Sequence, residues 1–413
     1  MADPLDTPQQ REIELAAVRL LQKPEAIAAA KEVAAHWIER VKPSAAQHAL
    51  FDFEFEQVKL CAAMDALNQD AVHPRLHSFF RFAHTVDGVP VPGTKQGNPN
   101  PDYAYRFITI DDSSRYVIRG ETVGQAPGVA EFAVLTAAQA YLANLSARHI
   151  AFDANGRFTL TIDPDAPETK PEKVRVNHLQ TKPGAIQVLI RDMLTDITVQ
   201  RPYKLSVERL GPATRPPLTE ADALRCFPFR LRKMVDDMLF IAEKMIYGKP
   251  ANTFPAPMVH QGGIYAVSQA YAAGHYKIKS DEALVFTLTL GGAAYAVVPV
   301  NNVWGGLGDY LNHRGALGTV RSAPNPDGSY TFVISIRDPG VANWVDPAGM
   351  EEGITFVRWA GLDPHYKGPA PTLQTALVPL ADLAKALPPG VPRADAAARK
   401  RQMTAHAAAY APW

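Results

Sequence analysis

The chain has 413 residues, 47% hydrophobic and 20% charged, with 42 Lys plus Arg matched by 42 Asp plus Glu. This composition excludes a disordered chain, and the charge balance leaves no basic field to attract nucleic acid or anionic lipid. The length exceeds one ordinary core and implies two or three domains.

Cys61 and Cys226 are the two cysteines, and neither sits in a CxxC pair. A disulfide scaffold is therefore not expected. The start, MADPLDTPQQREIE, is polar and acidic and does not read as a signal peptide. No run of about 18 apolar residues reads as a membrane span. These features predict a cytoplasmic protein without nucleic-acid or membrane partners.

Residues 9–42 are rich in Ala, Leu, Glu and Lys and predict helix, with Pro24 starting a second one. A third helical stretch is expected over 52–83, carrying Phe55, Val58, Leu60, Met64 and Leu67. The Pro- and Gly-rich run 87–102 reads as loop. Short strands follow. YAYRFITI (103–110) and SRYVIRGE (114–121) read as a hairpin, and HIAFDANGRFTLTID (149–163) as another, turning at Asn155-Gly156. EFAVLT, AIQVLIRDM and DITVQRPYKLSVERL complete a first β region, of sandwich or barrel type.

Thr219 is positioned to cap a connector helix running to about Tyr247, with a break expected at Pro228. Leu231, Val235, Met238, Ala242 and Met245 form a stripe at helical spacing, read as core filler. A second β region contains ALVFTLTL (283–290), AAYAVVPV (293–300), SYTFVISI (329–336), GITFVRW (353–359) and LQTALVPL (373–380). Alternation puts Tyr330, Phe332, Ile334 and Ile336 on one face, with Thr331, Val333 and Ser335 on the other. The Ala-rich tail, about 392–409, predicts a last helix.

The expected fold class is α+β: N-terminal helices, two β-sandwich-like domains, a helical connector and a short C-terminal helix. The expected boundaries are 1–86, 87–212, 213–262, 263–385 and 386–413.

GxGxxG after a strand, GxxxxGK[ST] and GxSxG are all missing, so no nucleotide cofactor is expected. HQGG (260–263) reads as a glycine turn. His73 and His77 in HPRLH, with His84 beyond, fit a helical metal pair only loosely, and no metal is expected. The polar candidates fall in two places. In GNPNPDYAYR (97–106), Tyr103 and Tyr105 share a face, and Asp102, Tyr105 and Arg106 are a candidate cluster at the strand entrance. In RDPGVANWVDPAG (337–349), two Asp-Pro steps make a double turn. Asp338 there reads as structural. Asp346 is a candidate acid or base beside Trp344 and Asn343, with Arg358 in the next strand. Asn301, Asn302, Trp304, Asn312, His313 and Arg314 come from a Gly-rich loop, with His313 as a candidate proton shuttle.

Glu282-Ala283-Leu284, Asn302-Val303-Trp304, Asp327-Gly328, Asp338 to Asp346, and Arg358-Trp359 together resemble a bacterial domain of unknown function, 1214. The resemblance covers about 265–360, and 97–121 more weakly; the middle β region loosely resembles the companion domain 1254. It implies a β-sandwich and an exported relative group, and it supplies no catalytic residues.

Three functions are expected. The first is acid–base chemistry of lyase, hydratase, isomerase or hydrolase type on a small, largely apolar molecule between the β halves. It would use Asp102, Tyr105, Arg106, His313 and Asp346, with Trp304, Asn343, Trp344 and Arg358 holding substrate. The second is a carbohydrate- or small-ligand-binding sandwich. The third is a glycosidase using Asp338 and Asp346, which inward-turned carboxylates would remove. The helical ends are a candidate dimer face.

Overall fold

A computed structural model describes residues 3–166, 176–259 and 268–411. The fold is α+β. Four helices open the chain: α1 (Pro8–Leu21), α2 (Pro24–Val41), α3 (Ala45–His48) and α4 (Phe51–Leu67). Thr7 caps α1 by accepting the Gln10 N–H at 3.1 Å, and Pro24 sits in the first turn of α2, where its missing N–H has no intrahelical partner to lose. α4 is buried around most of its circumference.

The expected helix over 52–83 ends sixteen residues early, at Leu67. Asn68 turns the chain, donating to Arg75 O at 3.0 Å, and His77 falls in the strand Leu76–Ser78. The HPRLH histidines are therefore not on a helix face. His73 meets Asp70, His77 meets Asn68 and His84 meets Glu14. Among the described residues no group of His, Cys, Asp and Glu could hold a metal. Both cysteines are free thiols.

The first sandwich pairs a five-stranded sheet with a four-stranded one. In spatial order the five-stranded sheet runs Leu76–Ser78, Tyr103–Thr109, Ala185–Met193, Val129–Thr136, Tyr141–Ser146. The other runs Lys204–Leu210, Arg115–Glu121, Arg157–Asp163, His178–Gln180. Ile108, Phe132 and Val188 face Ile118, Leu160 and Ile162 between them.

Neither expected hairpin forms. Strands Tyr103–Thr109 and Arg115–Glu121 lie in different sheets, because Asp111 accepts the N–H groups of Ser113 and Ser114 and swings the chain across the sandwich. The Asn155-Gly156 turn does form, but the residues before it are irregular, and Arg157–Asp163 pairs with Arg115–Glu121 instead.

The second sandwich repeats the plan. Its five-stranded sheet runs Met258–Val259, Gln269–Lys277, Glu352–Ala360, Tyr295–Pro299, Ala316–Gly318. Its four-stranded sheet runs Trp344–Val345, Tyr330–Ile334, Glu282–Thr289, Thr372–Pro379. Phe332 and Ile334 enter the sandwich core, while Val333 packs outside with Leu383 of the short helix α6 (Leu383–Ala386) and Leu387 just after it, as the alternation requires.

The connector helix α5 (Glu220–Phe240) opens with the Thr219–Asp222 capping box and packs on α2 and α4. Pro228 does not break it. Pro228 faces solvent, while buried Phe227 and Leu231 hold the helix down on either side. Leu231, Val235 and Met238 of the stripe are buried; the Met245 side chain and the HQGG turn lie outside the described residues. After Phe240 the helix widens into a π-helical turn, Ile241–Ile246. The tail forms α7 (Ala396–Tyr410), capped by Asp395.

The outer faces of both five-stranded sheets and the helices share one core. Tyr103, Tyr105, Phe107 and Leu189 come from the first sheet, Tyr295, Val297 and Ala360 from the second, and Met234 and Met238 from α5. This arrangement positions the site.

Candidate functional site

Between those two sheet faces and α5 lies a cavity of about 520 Å³. Strand alternation sets its walls. Tyr103, Tyr105 and Phe107 project from one strand, and Leu189 and Arg191 from its neighbour, with Leu189 opposite Phe107 and Arg191 opposite Tyr105. The second sandwich contributes Gln269 and Tyr271 from one strand and Phe356 and Arg358 from the next, with Tyr271 opposite Arg358. Met234, Met238 and Ile241 close the third side, and the loop Gln96 to Pro99 a fourth.

The lining is aromatic and apolar with a few polar groups. Phe79 stacks on Phe107 at 4.2 Å between ring centres, and Tyr271 meets the Phe356 ring edge-on at 5.7 Å. The Tyr271 hydroxyl donates to Gln269 Oε1 at 2.8 Å, and Tyr105 Oη accepts the Asn100 N–H at 3.1 Å. Arg191 donates to the Tyr141 hydroxyl and lies 5.9 Å from that ring's centre. Behind it, Glu131 sits opposite Arg191 in the sheet and accepts the Ser268 hydroxyl. Arg358 donates through Nη2 to the Asn98 carbonyl and lies over the Phe356 ring at 5.2 Å. At the rim, half-exposed Lys233 and Asp237 pair at 2.7 Å, one turn apart on α5.

Burial dominates the electrostatics. It holds Tyr103 and Tyr271 above the usual tyrosine range, against the pull of Arg358 on both and of Arg191 on Tyr271. Burial also raises Glu131, against Ser268 and Arg191. Tyr103 and Tyr271 are therefore protonated hydrogen-bond donors at neutral pH. No histidine lines the cavity among the described residues, and Asp237 is its one carboxylate.

The structure brings Tyr105 and Arg358 of the sequence candidates into this cavity, and no others. Asp102 is a buried hub that accepts the hydroxyls of Tyr295 and Tyr410 and, at 2.8 Å, the Arg321 guanidinium. Arg106 points the other way, into the first sandwich, where it pairs with Asp192 and donates to Tyr203 O at 2.6 Å. The Asp102–Tyr105–Arg106 cluster thus does not assemble: residues 105 and 106 face opposite sides of the sheet, and Asp102 precedes the strand, outside its alternation.

The second group is likewise structural. Trp304 donates to Gln47 O at 2.7 Å and packs 5.3 Å from Trp37, joining the second sandwich to the N-terminal helices. Asn302 caps the N–H groups of Trp304 and Gly306, both at 3.0 Å. Asn343 bridges Ala323 and Thr331 O, and Trp344 donates to Ser335 O at 2.9 Å beneath the Arg399 guanidinium. His313 and Asp346 do meet, at 2.8 Å, but outside the cavity lining, and Asp346 spends its other oxygen on the Ala348 N–H. Asp338 accepts the Gly340 N–H and forks onto Arg399 of α7. Both carboxylates of the supposed glycosidase pair are thus engaged by local N–H and side-chain partners, which counts against that reading.

Arg191, Gln269, Tyr271, Met234 and Lys233 were not among the sequence candidates. Arg191 had a signal: Arg191-Asp192 interrupts the apolar run AIQVLI, and alternation sends the two charges to opposite faces. The stripe residue Met238 lines the cavity, while Leu231 and Val235 are core.

No family model matches the chain, and no curated protein matches it. Among solved structures, the fold is similar to that of an uncharacterised protein from Burkholderia cenocepacia. The TM-score is 0.68 and the identity 21%, over 88% of this chain and 99% of that one. The VPA0106 protein from Vibrio parahaemolyticus aligns at TM-score 0.40 and 12% identity, over 68% of this chain and 90% of that one. The first likeness is one of fold alone. Among the described residues no helix is long and apolar enough to cross a membrane.

Proposed function

We propose that the chain binds a small, largely apolar organic molecule in the cavity between its two five-stranded sheets. The cavity carries this reading: about 520 Å³, walled by Phe79, Phe107, Met234 and Phe356, with a small set of polar groups to fix orientation. The volume falls within the roughly 300–1,000 Å³ of small-molecule pockets.

Of the expected functions, the geometry supports binding over acid–base catalysis. Asp102, His313 and Asp346 lie away from the cavity, and Asp237 is tied to Lys233 at the rim. Proton chemistry there would fall to tyrosines held protonated by burial, which can donate but not abstract at neutral pH. Kinship with the 1214 domain belongs to the same proposal; its Asp338-to-Asp346 hallmark then serves as a structural turn.

Calorimetric titration with the neutral probe 2-naphthamide tests the reading, using the chain and its Met234→Trp variant. Binding is expected in the first and not in the second, where the indole occupies the space. Because the new ring enters a void, Met234→Trp should lose less than the roughly 1–3 kcal/mol typical of overpacking. No binding to the unmodified chain, or equal binding to the folded variant, defeats the reading.

A further inference from the structure

We infer that the cavity's ligand is an organic monocarboxylate, seated with its carboxylate between Arg358 Nη1 and the Tyr103 hydroxyl and its apolar body among Phe79, Phe107, Met234 and Phe356. This inference rests on the cavity reading above and adds the ligand's charge and its seat.

The unmet hydrogen bonds argue for it. Arg358 and Tyr103 are 8% and 4% exposed, and both line the cavity. Arg358 Nη1 and Tyr103 Oη are buried polar atoms without a hydrogen-bond partner. Buried donors are rarely left unmade; with these two on residues that line one void, a small shift of either side chain brings its donor to a ligand that supplies the acceptor. The Asn100 side chain lies beside the Tyr103 hydroxyl and opposes the upward pull of burial on it. An N–H from that side would occupy the phenol oxygen and leave the O–H free to donate into the cavity.

The charges argue for an anion rather than a neutral acceptor. Among the described residues three cations, Arg191, Arg358 and Lys233, line the cavity against one carboxylate, Asp237. Lys233 and Asp237 neutralise each other. Arg191 has Glu131 opposite it in the sheet and the Tyr141 hydroxyl as acceptor. Arg358 has only the Asn98 carbonyl, and no carboxylate pairs with it among the described residues. A buried guanidinium facing a void without a counter-charge is costly, and an anion placed there relieves it.

The number of donors selects the anion. Arg358 Nη2 is committed to Asn98, so the guanidinium cannot present its full fork to a ligand. Nη1 carries two N–H donors and the phenol one O–H, three in all, enough for the two oxygens of a carboxylate. A phosphate's oxygens ask for more.

The experiment compares isosteres by calorimetry at low ionic strength: 2-naphthoate, 2-naphthamide and 2-naphthyl phosphate against the full chain. Hydrogen bonds to charged groups of this kind correspond to roughly a tenfold to hundredfold preference for the carboxylate over its amide. Arg358→Met should abolish that preference while leaving the amide's affinity in place. Tyr103→Phe, which changes a single hydroxyl, should reduce it, and carries the same test should Arg358→Met not fold. An amide that binds the unmodified chain as tightly as the acid overturns the carboxylate seat and leaves the cavity reading standing. So does a preference that survives both variants, or a phosphate that binds better than the carboxylate. Failure of all three probes to bind overturns both.

Discussion

Replacing Glu54 by Gln should destabilise the chain by about 3–5 kcal/mol at neutral pH, the range for removing one partner of a buried ion pair. The Glu54 and Lys95 side chains are 0% and 1% exposed and in contact. Glu54 also accepts Asn302 Nδ2 at 2.5 Å, and Lys95 donates to Trp304 O at 3.0 Å. Packing leaves no room for rearrangement, since a side chain at Gly306 would collide with the Glu54 carboxylate. The substitution keeps shape and removes charge, leaving a buried ammonium uncompensated. Burial already pulls Lys95 below the ordinary lysine value, opposed by Glu54. Without that opposition it falls further. A lysine whose folded pKa lies below its unfolded one stabilises fully only above the unfolded value, so the variant should regain stability as pH rises from neutral toward about 10.4. Urea unfolding followed by tryptophan fluorescence is the assay, because Trp304, whose carbonyl accepts from Lys95, packs against Trp37. With a slope near the upper end of about 1–3 kcal/mol per molar, the midpoint should drop by roughly 1–2 M. Adding Lys95→Met should recover much of the loss. A Glu54→Gln midpoint equal to that of the unmodified chain, or a double variant that is the plain sum of the singles, would refute the reasoning.

Other outcomes follow from the same geometry. Burial holds His77 down at about 3, against an ordinary 6.5, so the folded state resists its protonation. Stability should be full above about 6.5 and decline toward about pH 3, by up to roughly 1.4 kcal/mol per unit, and His77→Gln should flatten that slope in acid titrations of the folded fraction. Asp102→Asn leaves Arg321 without its carboxylate and should cost about 3–5 kcal/mol. Because Tyr410 also docks on Asp102, tryptic cleavage at Lys400 and Arg401 of α7 should accelerate; unchanged digestion would count against a latching role. Asp346→Asn, which alters the His313 contact outside the cavity, should leave affinity for 2-naphthamide unchanged by titration.

Periodicity made the fold class and several faces of the site legible. Tyr103 and Tyr105 were correctly read onto one face because both lie inside a regular strand, and both line the cavity. Arg358 was noticed through its neighbours, yet its partner is Asn98, about 260 residues away, which no local pattern announces. The hairpins failed because Asp111 redirects the chain between sheets, a choice made by side-chain hydrogen bonds rather than by alternation. Pro228 failed as a breaker because its ring faces solvent while Phe227 and Leu231, buried on either side, hold the helix against its neighbours. The polar loop at 337–349 looked chemical because capping and active sites draw on the same residues; only the partners, Arg399 and Ala348 among them, separate the two.

The central claim is that a small apolar molecule occupies the space between the two sheets. Diffraction from crystals of the chain soaked with 2-naphthamide tests it most directly. The account predicts planar density in the cavity, bounded by Tyr103, Phe107, Met234 and Phe356. Density for the probe elsewhere on the chain, with ordered water alone between those four side chains, would contradict it.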